Sequence, residues 1–249
     1  MTTRYMLTIA YDGTNFSGWQ IQPNSVSIQE TVQQALYTIT GEHPCINASG
    51  RTDAGVHARA QVAHVDLDTD KTPLQLLRSL NGLLPYDIRV LDIKEVSQEF
   101  HARKSAIKKE YHYHLCLDEV ALPFDRPYVW HCRYKLDLDL LRQAAALFVG
   151  THNFKACANE RGKNCRPNSF VRTIYRLDVI ETPIGVRLEF EGNGFLYKMV
   201  RNITSILVHV ASGRYPLNFI PELLKSEDRR NAPRVAPAQG LFLMKVSYP

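Results

Sequence analysis

The chain of 249 residues is 45% hydrophobic and 22% charged, a globular composition that allows one large domain or two smaller ones with real cores. Its first residues lack the charged segment and long apolar run of a signal peptide, and no apolar run is long enough to span a bilayer. The five cysteines are irregularly spaced without a Cys-x-x-Cys pair. We therefore expect free thiols in a reducing cytoplasm and no zinc site.

The net charge of +5 is distributed unevenly along the chain. Residues 1–100 contain 7 Lys and Arg against 11 Asp and Glu, whereas residues 101–249 contain 23 against 14. A basic half joined to an acidic half indicates a polyanionic partner on one side, such as a nucleic acid. Simple solvation of the surface by Lys and Arg explains the same pattern, so charge alone does not decide between them.

The first hundred residues alternate between strand and helix patterns. Ser27 and Glu30 form a capping box in front of a run with helical spacing, and Pro73 stands in the first turn of a second helix. The predicted elements are a strand at Tyr5–Tyr11, a helix to about Thr40, a strand at Ala60–Leu67, a helix with Leu74, Leu77 and Leu80 inward that Asn81-Gly82 stops, and a strand at Ile88–Val96. This order predicts one compact α/β unit.

The basic, aperiodic stretch Phe100–Lys109 predicts the connection between two domains, residues 1–103 and 104–249. The elements predicted after it are a strand at Tyr111–Leu117, a helix from Asp137 to Phe148, a hairpin of Val171–Ile180 and Gly185–Glu191, a helix from about Lys198 to Gly213, a short helix at Leu217–Leu224 and a strand at Leu241–Val246. Each half passes from a strand through a glycine-containing loop into a helix. This repetition fits two similar α/β halves with a cleft between them.

Two polar features of the second half admit more than one interpretation. The long segment Thr151–Phe170 is rich in basic residues, among them Lys155, Arg161, Lys163 and Arg166. It either contacts phosphates or is a solvated loop. His112 and His114 alternate along a predicted strand, and we do not expect a metal there because nothing nearby supplies further ligands at zinc-like spacing.

The stretch Ser49–Ala58 combines two glycines, a charged pair and a histidine with little apolar bulk, which is typical of a functional loop. Asp53 is the only acid between Ala48 and Ala63. An aspartate in a glycine-rich loop is most often a turn former, although a lone carboxylate also serves as a nucleophile or general base. Arg51 beside it can pair with a phosphate.

Two distant residues complete this pattern. Arg201 lies in the first turns of a predicted helix, beside apolar neighbours that leave little room for a solvated charge, so it requires an anion, and Asp53 is a candidate. Tyr111 supplies an aromatic plane on a strand next to the basic connection. A loop acid, an inserted arginine and a stacking aromatic are the parts needed by an enzyme that works on a base taken out of a helix. These residues by themselves name no reaction.

The block Ser49–Ala58, of sequence SGRTDAGVHA, resembles the signature of the tRNA pseudouridine synthases of the TruA family. Further blocks resemble other motifs of that family and occur in the family's order. They are Tyr11–Gln20, Phe100–Arg103 with Tyr111–Tyr113, Phe195–Ile203, and Ala236–Leu243. Together they extend over nearly the whole chain, whereas the segment Cys157–Asn168 is peculiar to this sequence.

The resemblance implies two α/β domains whose mainly antiparallel sheets join across a central cleft, the pseudouridine synthase fold. It implies an isomerase that converts uridine to pseudouridine at positions 38, 39 and 40 of tRNA, with neither cofactor nor metal. By the same resemblance, Asp53 is the catalytic residue, which attacks the sugar or the base or promotes elimination. Arg51 helps to displace the target base, Tyr111 stacks on the flipped uracil, and Arg201 pairs with Asp53. The family works as a homodimer on tRNA.

Two other functional classes remain open from the residues. A non-catalytic RNA-binding protein on the same scaffold would tolerate the loss of Asp53. An RNA hydrolase or another base-directed enzyme would need a metal cluster or a paired acid and base, and neither is evident in the sequence.

Overall fold

The computed structural model describes residues 2–160 and 169–249, and its elements confirm the predicted α/β class. The chain forms two compact units. The N-unit consists of Met1–Ile107 together with Phe242–Pro249, and the C-unit of Lys108–Leu241. The predicted division into 1–103 and 104–249 assigns the final strand to the second domain, whereas in the structure Phe242–Pro249 packs with the N-unit.

The N-unit has a mainly antiparallel sheet in the order β4–β1–β3–β10, with β2 paired to β3. Its elements are β1 (Thr3–Tyr11), α1 (Ile28–Thr40), β2 (Asn47–Ala48), β3 (His57–Leu67), α2 (Pro73–Leu83), β4 (Ile88–Val96) and β10 (Leu241–Ser247). Strand β10 runs parallel to β3, with Phe242 opposite His57. Every second residue of β1 is buried, as its period predicts: Tyr5, Leu7, Ile9 and Tyr11.

Helix α2 differs from its prediction. It continues through Asn81-Gly82 to Leu83, so the predicted stop is wrong. The Asn81 amide pairs with the backbone of Val90 in the edge strand β4, donating to its oxygen at 2.7 Å and accepting from its nitrogen at 3.0 Å. This side chain covers groups that an edge strand would otherwise expose. The predicted inward position of Leu74 is also wrong, because that side chain is 53% exposed while Leu76 and Leu80 are buried.

The strands of the C-unit follow the order β5–β9–β8–β7, in which neighbouring strands are antiparallel, and β6 pairs in parallel with β5. Its elements are β5 (Lys108–Cys116), β6 (Trp130–His131), α3 (Leu138–Ala146), β7 (Gly150–Asn153), β8 (Val171–Thr182), β9 (Gly185–Gly192), α4 (Met199–Ala211) and α5 (Phe219–Ser226). Helix α4 packs against α3 and β5 and is buried almost all round. Polar side chains on a helix so placed need hydrogen-bond partners, and among the described residues of α4 the Thr204 hydroxyl is buried without one.

Several predicted boundaries move by a few residues, as is usual at element ends. The short helix spans Phe219–Ser226, two residues later than predicted, and Leu117 lies outside β5. Of the predicted basic loop, residues 161–168 lie outside the described residues. Within the described residues, none of the helices has both the length and the apolar character that a bilayer crossing requires.

Replacing Asn81 by Ala should lower the free energy of unfolding by about 1–3 kcal/mol, because the N–H and C=O of Val90 then lose their partner. Urea unfolding measures this change. Arg78→Ala, on an exposed face of the same helix, is the control and should cost less than about 0.5 kcal/mol. Equal stabilities of the two variants would contradict the role given to Asn81.

Candidate active site

The predicted catalytic loop, residues 49–56, lies at one end of the N-unit sheet. It leads directly into β3, at the end where β1 finishes and β4 begins, since Tyr11 lies opposite both Ala58 and Ile88. Within the loop, Arg51 is exposed, Thr52 is buried and Asp53 is half-buried. Asp53 is therefore only partly covered, on a loop that buried residues anchor.

A chain of buried polar side chains provides that anchor. Gln61 of β3, which is fully buried, accepts a hydrogen bond from Ser49 Oγ at 2.7 Å and donates one to the Gly50 oxygen at 2.8 Å. The Tyr11 hydroxyl pairs with Thr52 Oγ1 at 2.8 Å. These contacts fix the loop on both sides of Arg51, and the second ends one residue before Asp53. Burial raises the pKa of Tyr11 to about 12, so this phenol stays neutral at physiological pH.

A second loop, Asp12–Gln20, crosses the catalytic loop at van der Waals distance. A Cβ added to Gly18 would stand 2.6 Å from the Thr52 oxygen, and one added to Gly13 would stand 2.1 Å from the Val56 oxygen. Gly18 also has a φ of +94°, which favours glycine. The crossing is tied by a hydrogen bond from the Trp19 nitrogen to the Thr52 oxygen at 3.1 Å. The two glycines thus permit an approach that any side chain would prevent.

Asp53 also closes a turn. Its backbone oxygen accepts from the Val56 nitrogen at 3.1 Å, and Gly55 within this turn has a φ of +75°. Immediately afterwards the His57 ring, which is buried, stacks on Phe242 of β10 with the ring centroids 4.6 Å apart. The turn-forming and reactive interpretations of Asp53 are therefore compatible, because the backbone makes the turn and the carboxylate remains at the surface.

In the C-unit, Tyr111 and Arg201 occupy buried positions on β5 and α4. Tyr111 is 8% exposed, and its ring meets the edge of Phe195 with the centroids 5.2 Å apart and an interplanar angle of 82°. Arg201 is 9% exposed, and its Nε donates to the Ala236 oxygen at 2.8 Å while its own backbone oxygen accepts from the Ala236 nitrogen at 3.3 Å. This reciprocal pair orients the guanidinium.

Neighbouring polar residues of α4 fasten the segment 229–240 in the same way. Asn202 donates to the Cys157 oxygen at 2.8 Å and accepts from Arg229 at 2.8 Å, and Ser205 donates to the Arg234 oxygen at 2.6 Å. Burial lowers the pKa of Arg229. The segment that holds Arg201 in place is thus itself held at three points along the helix.

The four predicted site residues fall into two pairs. Arg51 and Asp53 share one loop of the N-unit, and Tyr111 and Arg201 belong to the C-unit. The predicted pairing of Asp53 with Arg201 stays a prediction. Sequence reasoning missed the supporting residues Gln61 and Thr52, and the one available signal was a glutamine placed between Ala60 and Val62 in a predicted strand.

One group of possible metal ligands comes together among the described residues, on the C-unit sheet. The ligand atoms of Glu110, His112 and Glu189 lie within 4.8 Å of one another. Arg176 contacts both glutamates, at 3.6 and 3.1 Å, and Arg187 contacts Glu189 at 2.6 Å. Burial opposes ionisation of Glu189, but hydrogen bonds from the two arginines outweigh it and lower its pKa. With arginines on these oxygens, the group is best described as an ion-pair network.

Comparisons with known proteins give a consistent result. The family profile described as tRNA pseudouridine synthase matches residues 7–103 and 144–249, which include Asp53 and Arg201 but not Tyr111. The relative named tRNA pseudouridine synthase A 1, from Protochlamydia amoebophila, is 51% identical over 245 residues, covering 98% of this chain and 96% of that protein. Relatives named tRNA pseudouridine synthase A, from Chlamydia muridarum and Geobacter sp. strain M21, are 46% and 44% identical. The match to the Chlamydia muridarum protein covers 100% of this chain and 93% of that protein. The match to the Geobacter protein covers 98% of each.

Tyr11→Phe removes the hydroxyl that pairs with Thr52. At neutral pH we expect the free energy of unfolding to fall by about 1–2 kcal/mol, because the Thr52 hydroxyl loses a buried partner. The unfolded chain ionises tyrosine near pH 10, but the folded chain holds Tyr11 neutral to about pH 12. Its contribution to stability is therefore complete below pH 10 and is lost as the pH rises from 10 to 12. Urea unfolding across this interval should show a smaller loss for Tyr11→Phe than for the unaltered protein, and equal losses would contradict the assignment.

Proposed function

Since the chain belongs to the tRNA pseudouridine synthase family, we propose that it converts uridine to pseudouridine in tRNA and that Asp53 is its catalytic residue. The anchoring of the Asp53 loop is the observation that supports Asp53 as the catalytic residue. Buried hydrogen bonds to Ser49, Gly50 and Thr52 hold this loop, yet they leave the next side chain half-exposed. A carboxylate with a fixed backbone and an accessible face is placed to act on a bound nucleotide.

The reaction is an isomerisation, so its atoms balance within one nucleotide. The N1–C1′ glycosidic bond breaks, the uracil turns in the pocket, and a C5–C1′ bond forms. The C5 proton is released and N1 takes up a proton, so neither an oxidant nor an energy source is consumed. In this scheme the Asp53 carboxylate assists the breaking of the glycosidic bond, as a nucleophile towards sugar or base or as the base of an elimination.

The other three residues have supporting roles in the proposal. Arg51 is exposed beside Asp53 and reaches out to the displaced nucleotide or its phosphate. Tyr111 stacks on the flipped uracil, and its edge-on contact with Phe195 fixes the plane of its ring. Arg201 serves as the counter-ion of Asp53, with its guanidinium oriented by the Ala236 oxygen.

The finer parts of the proposal follow the family resemblance. The target uridines are those at positions 38, 39 and 40 of the tRNA, the active form is a homodimer, and neither cofactor nor metal takes part. A cytoplasmic location agrees with the free cysteines Cys45, Cys116, Cys132 and Cys157. Mapping pseudouridine by position in unmodified tRNA transcripts tests the first point, and measuring the mass of the protein in solution tests the second.

Asp53→Asn keeps the shape of the side chain and removes its charge and basicity. We expect pseudouridine formation to fall by at least about 10⁴-fold, because the residue contributes the chemistry, while the Kd for tRNA changes less than about tenfold. Tritium release from C5-labelled uridine in tRNA measures the first quantity and filter binding the second. An Asp53→Asn protein with undiminished turnover would exclude the catalytic role.

Tyr111→Phe should retain most of the activity, because phenylalanine presents the same stacking face. Tyr111→Ala removes that face, so kcat/KM should fall by about 10- to 100-fold. Steady-state kinetics on one tRNA transcript compare the two variants. If Tyr111→Phe were as damaging as Tyr111→Ala, the hydroxyl rather than the ring plane would be the functional group.

A further inference from the structure

A turn at the active-site end of the N-unit presents an aromatic ring to solvent. Pro85 and Ile88 close this turn, with the Ile88 nitrogen donating to the Pro85 oxygen at 3.0 Å. Tyr86 stands at its tip with 96% of its surface exposed, more than any other exposed large hydrophobic residue of the described part of the chain. A scattered exposed apolar residue needs no explanation, but a tyrosine so fully exposed on a fixed turn does.

The turn is rigid because Arg89 braces it from inside. The Nη1 of Arg89 donates to the backbone oxygens of Leu84, Pro85 and Ile88, at 3.2, 2.6 and 2.6 Å. The same guanidinium lies 5.0 Å from the centroid of the Tyr86 ring. A cation therefore supports one face of the ring, and the high exposure leaves the opposite face open.

The position of the turn relates it to the catalytic loop within the same unit. The Asp12 nitrogen donates to the Asp87 oxygen at 2.9 Å, so the turn is tied to the loop that crosses the catalytic loop. Strands β4, β1 and β3 are neighbours in the sheet, and adjacent strands lie about 4.8 Å apart, so β4 stands about 10 Å from β3. The turn and the catalytic loop therefore lie at the same end of one sheet, where a single RNA strand can contact both.

The charges around the turn indicate whether it would bind a phosphate group or a base. Asp87 follows Tyr86 directly in the sequence, and the Nη1 of Arg89 is engaged by backbone oxygens. Asp87 offsets the charge of Arg89, so the turn offers a phosphate no net positive charge and the aromatic face is the attractive feature. The flat, apolar partner that fits an open tyrosine face is an unpaired nucleobase.

We propose that Tyr86 is an RNA-binding residue that stacks on an unpaired base of the substrate close to the target uridine. The contact lies outside the set formed by Asp53, Arg51, Tyr111 and Arg201, and it holds the strand that enters the site. The proposal rests on the proposed function, because it takes the nucleotide at Asp53 as its reference point.

Steady-state kinetics on a tRNA transcript test the proposal with three variants. Tyr86→Ala should raise KM about 5-fold or more with kcat unchanged, and Tyr86→Phe should restore the KM of the unaltered protein. The control, Tyr37→Ala, changes an exposed tyrosine of α1 about two and a half turns from the active-site end of that helix, and it should change neither constant. The slope of log KM against log salt should be the same for Tyr86→Ala and the unaltered protein, because a stacking contact releases no counterions.

A binding experiment reports the contact directly. In the Asp53→Asn background, a stem-loop RNA carrying 2-aminopurine beside the target uridine should lose fluorescence on binding, and Tyr86→Ala should abolish that quenching. Unchanged KM and undiminished quenching in Tyr86→Ala would overturn the proposal, as would a reduced salt slope, which indicates a phosphate contact. An unaltered protein that forms no pseudouridine would instead overturn the proposed function, so the two failures are distinguishable.

Discussion

The fixed position of Asp53 depends on one buried amide. The Gln61 side chain is fully enclosed, and its oxygen and nitrogen are both used within the catalytic loop, on Ser49 and Gly50. A buried polar group without a partner costs about 1–3 kcal/mol, so loop conformations that break these bonds are penalised at both ends of the amide. The loop therefore has one arrangement in which both groups of the Gln61 amide are hydrogen-bonded, and that arrangement fixes the position of Asp53. The proposed catalytic carboxylate thus has the rigid support that electrostatic preorganisation requires.

In the C-unit, buried side chains of a helix likewise hold a neighbouring segment in place by hydrogen bonds. Helix α4 is buried nearly all round, and its polar side chains Arg201, Asn202 and Ser205 each bind a carbonyl oxygen of another segment. The partners include residues of the 229–240 segment, which lacks regular strands and long helices. Hydrogen bonds from an interior helix thus replace secondary structure in ordering that segment. The arginine proposed as the counter-ion belongs to the same row, so its orientation and the course of the segment are determined together.

The features that could be predicted from the sequence are those that depend on residues close together in the chain. The strand periods, the glycine-rich loop around Asp53 and the N-cap at Ser27, whose side chain accepts from the Glu30 nitrogen, are local, and the structure contains all three. The features that the sequence did not predict correctly have a different cause. Asn81 extends its helix because it pairs with Val90 in a strand, and the cluster at His112 gains Glu189 through cross-strand register. Gln61 likewise acts on residues that the turn of the chain brings back to it. Long-range pairing decided each case, and one sequence does not display it.

The return of the last strand to the N-unit has a consequence for synthesis. Strand β10 lies beside the first residues of β3, and Phe242 stacks on His57, just after the catalytic loop. During translation the N-unit emerges first, yet this edge of its sheet stays open until the whole C-unit has been made. An open edge strand is a template for wrong pairing, so the nascent N-unit passes through a period of exposure to aggregation. The support behind the catalytic loop therefore arrives only with β10, after the C-unit has been made.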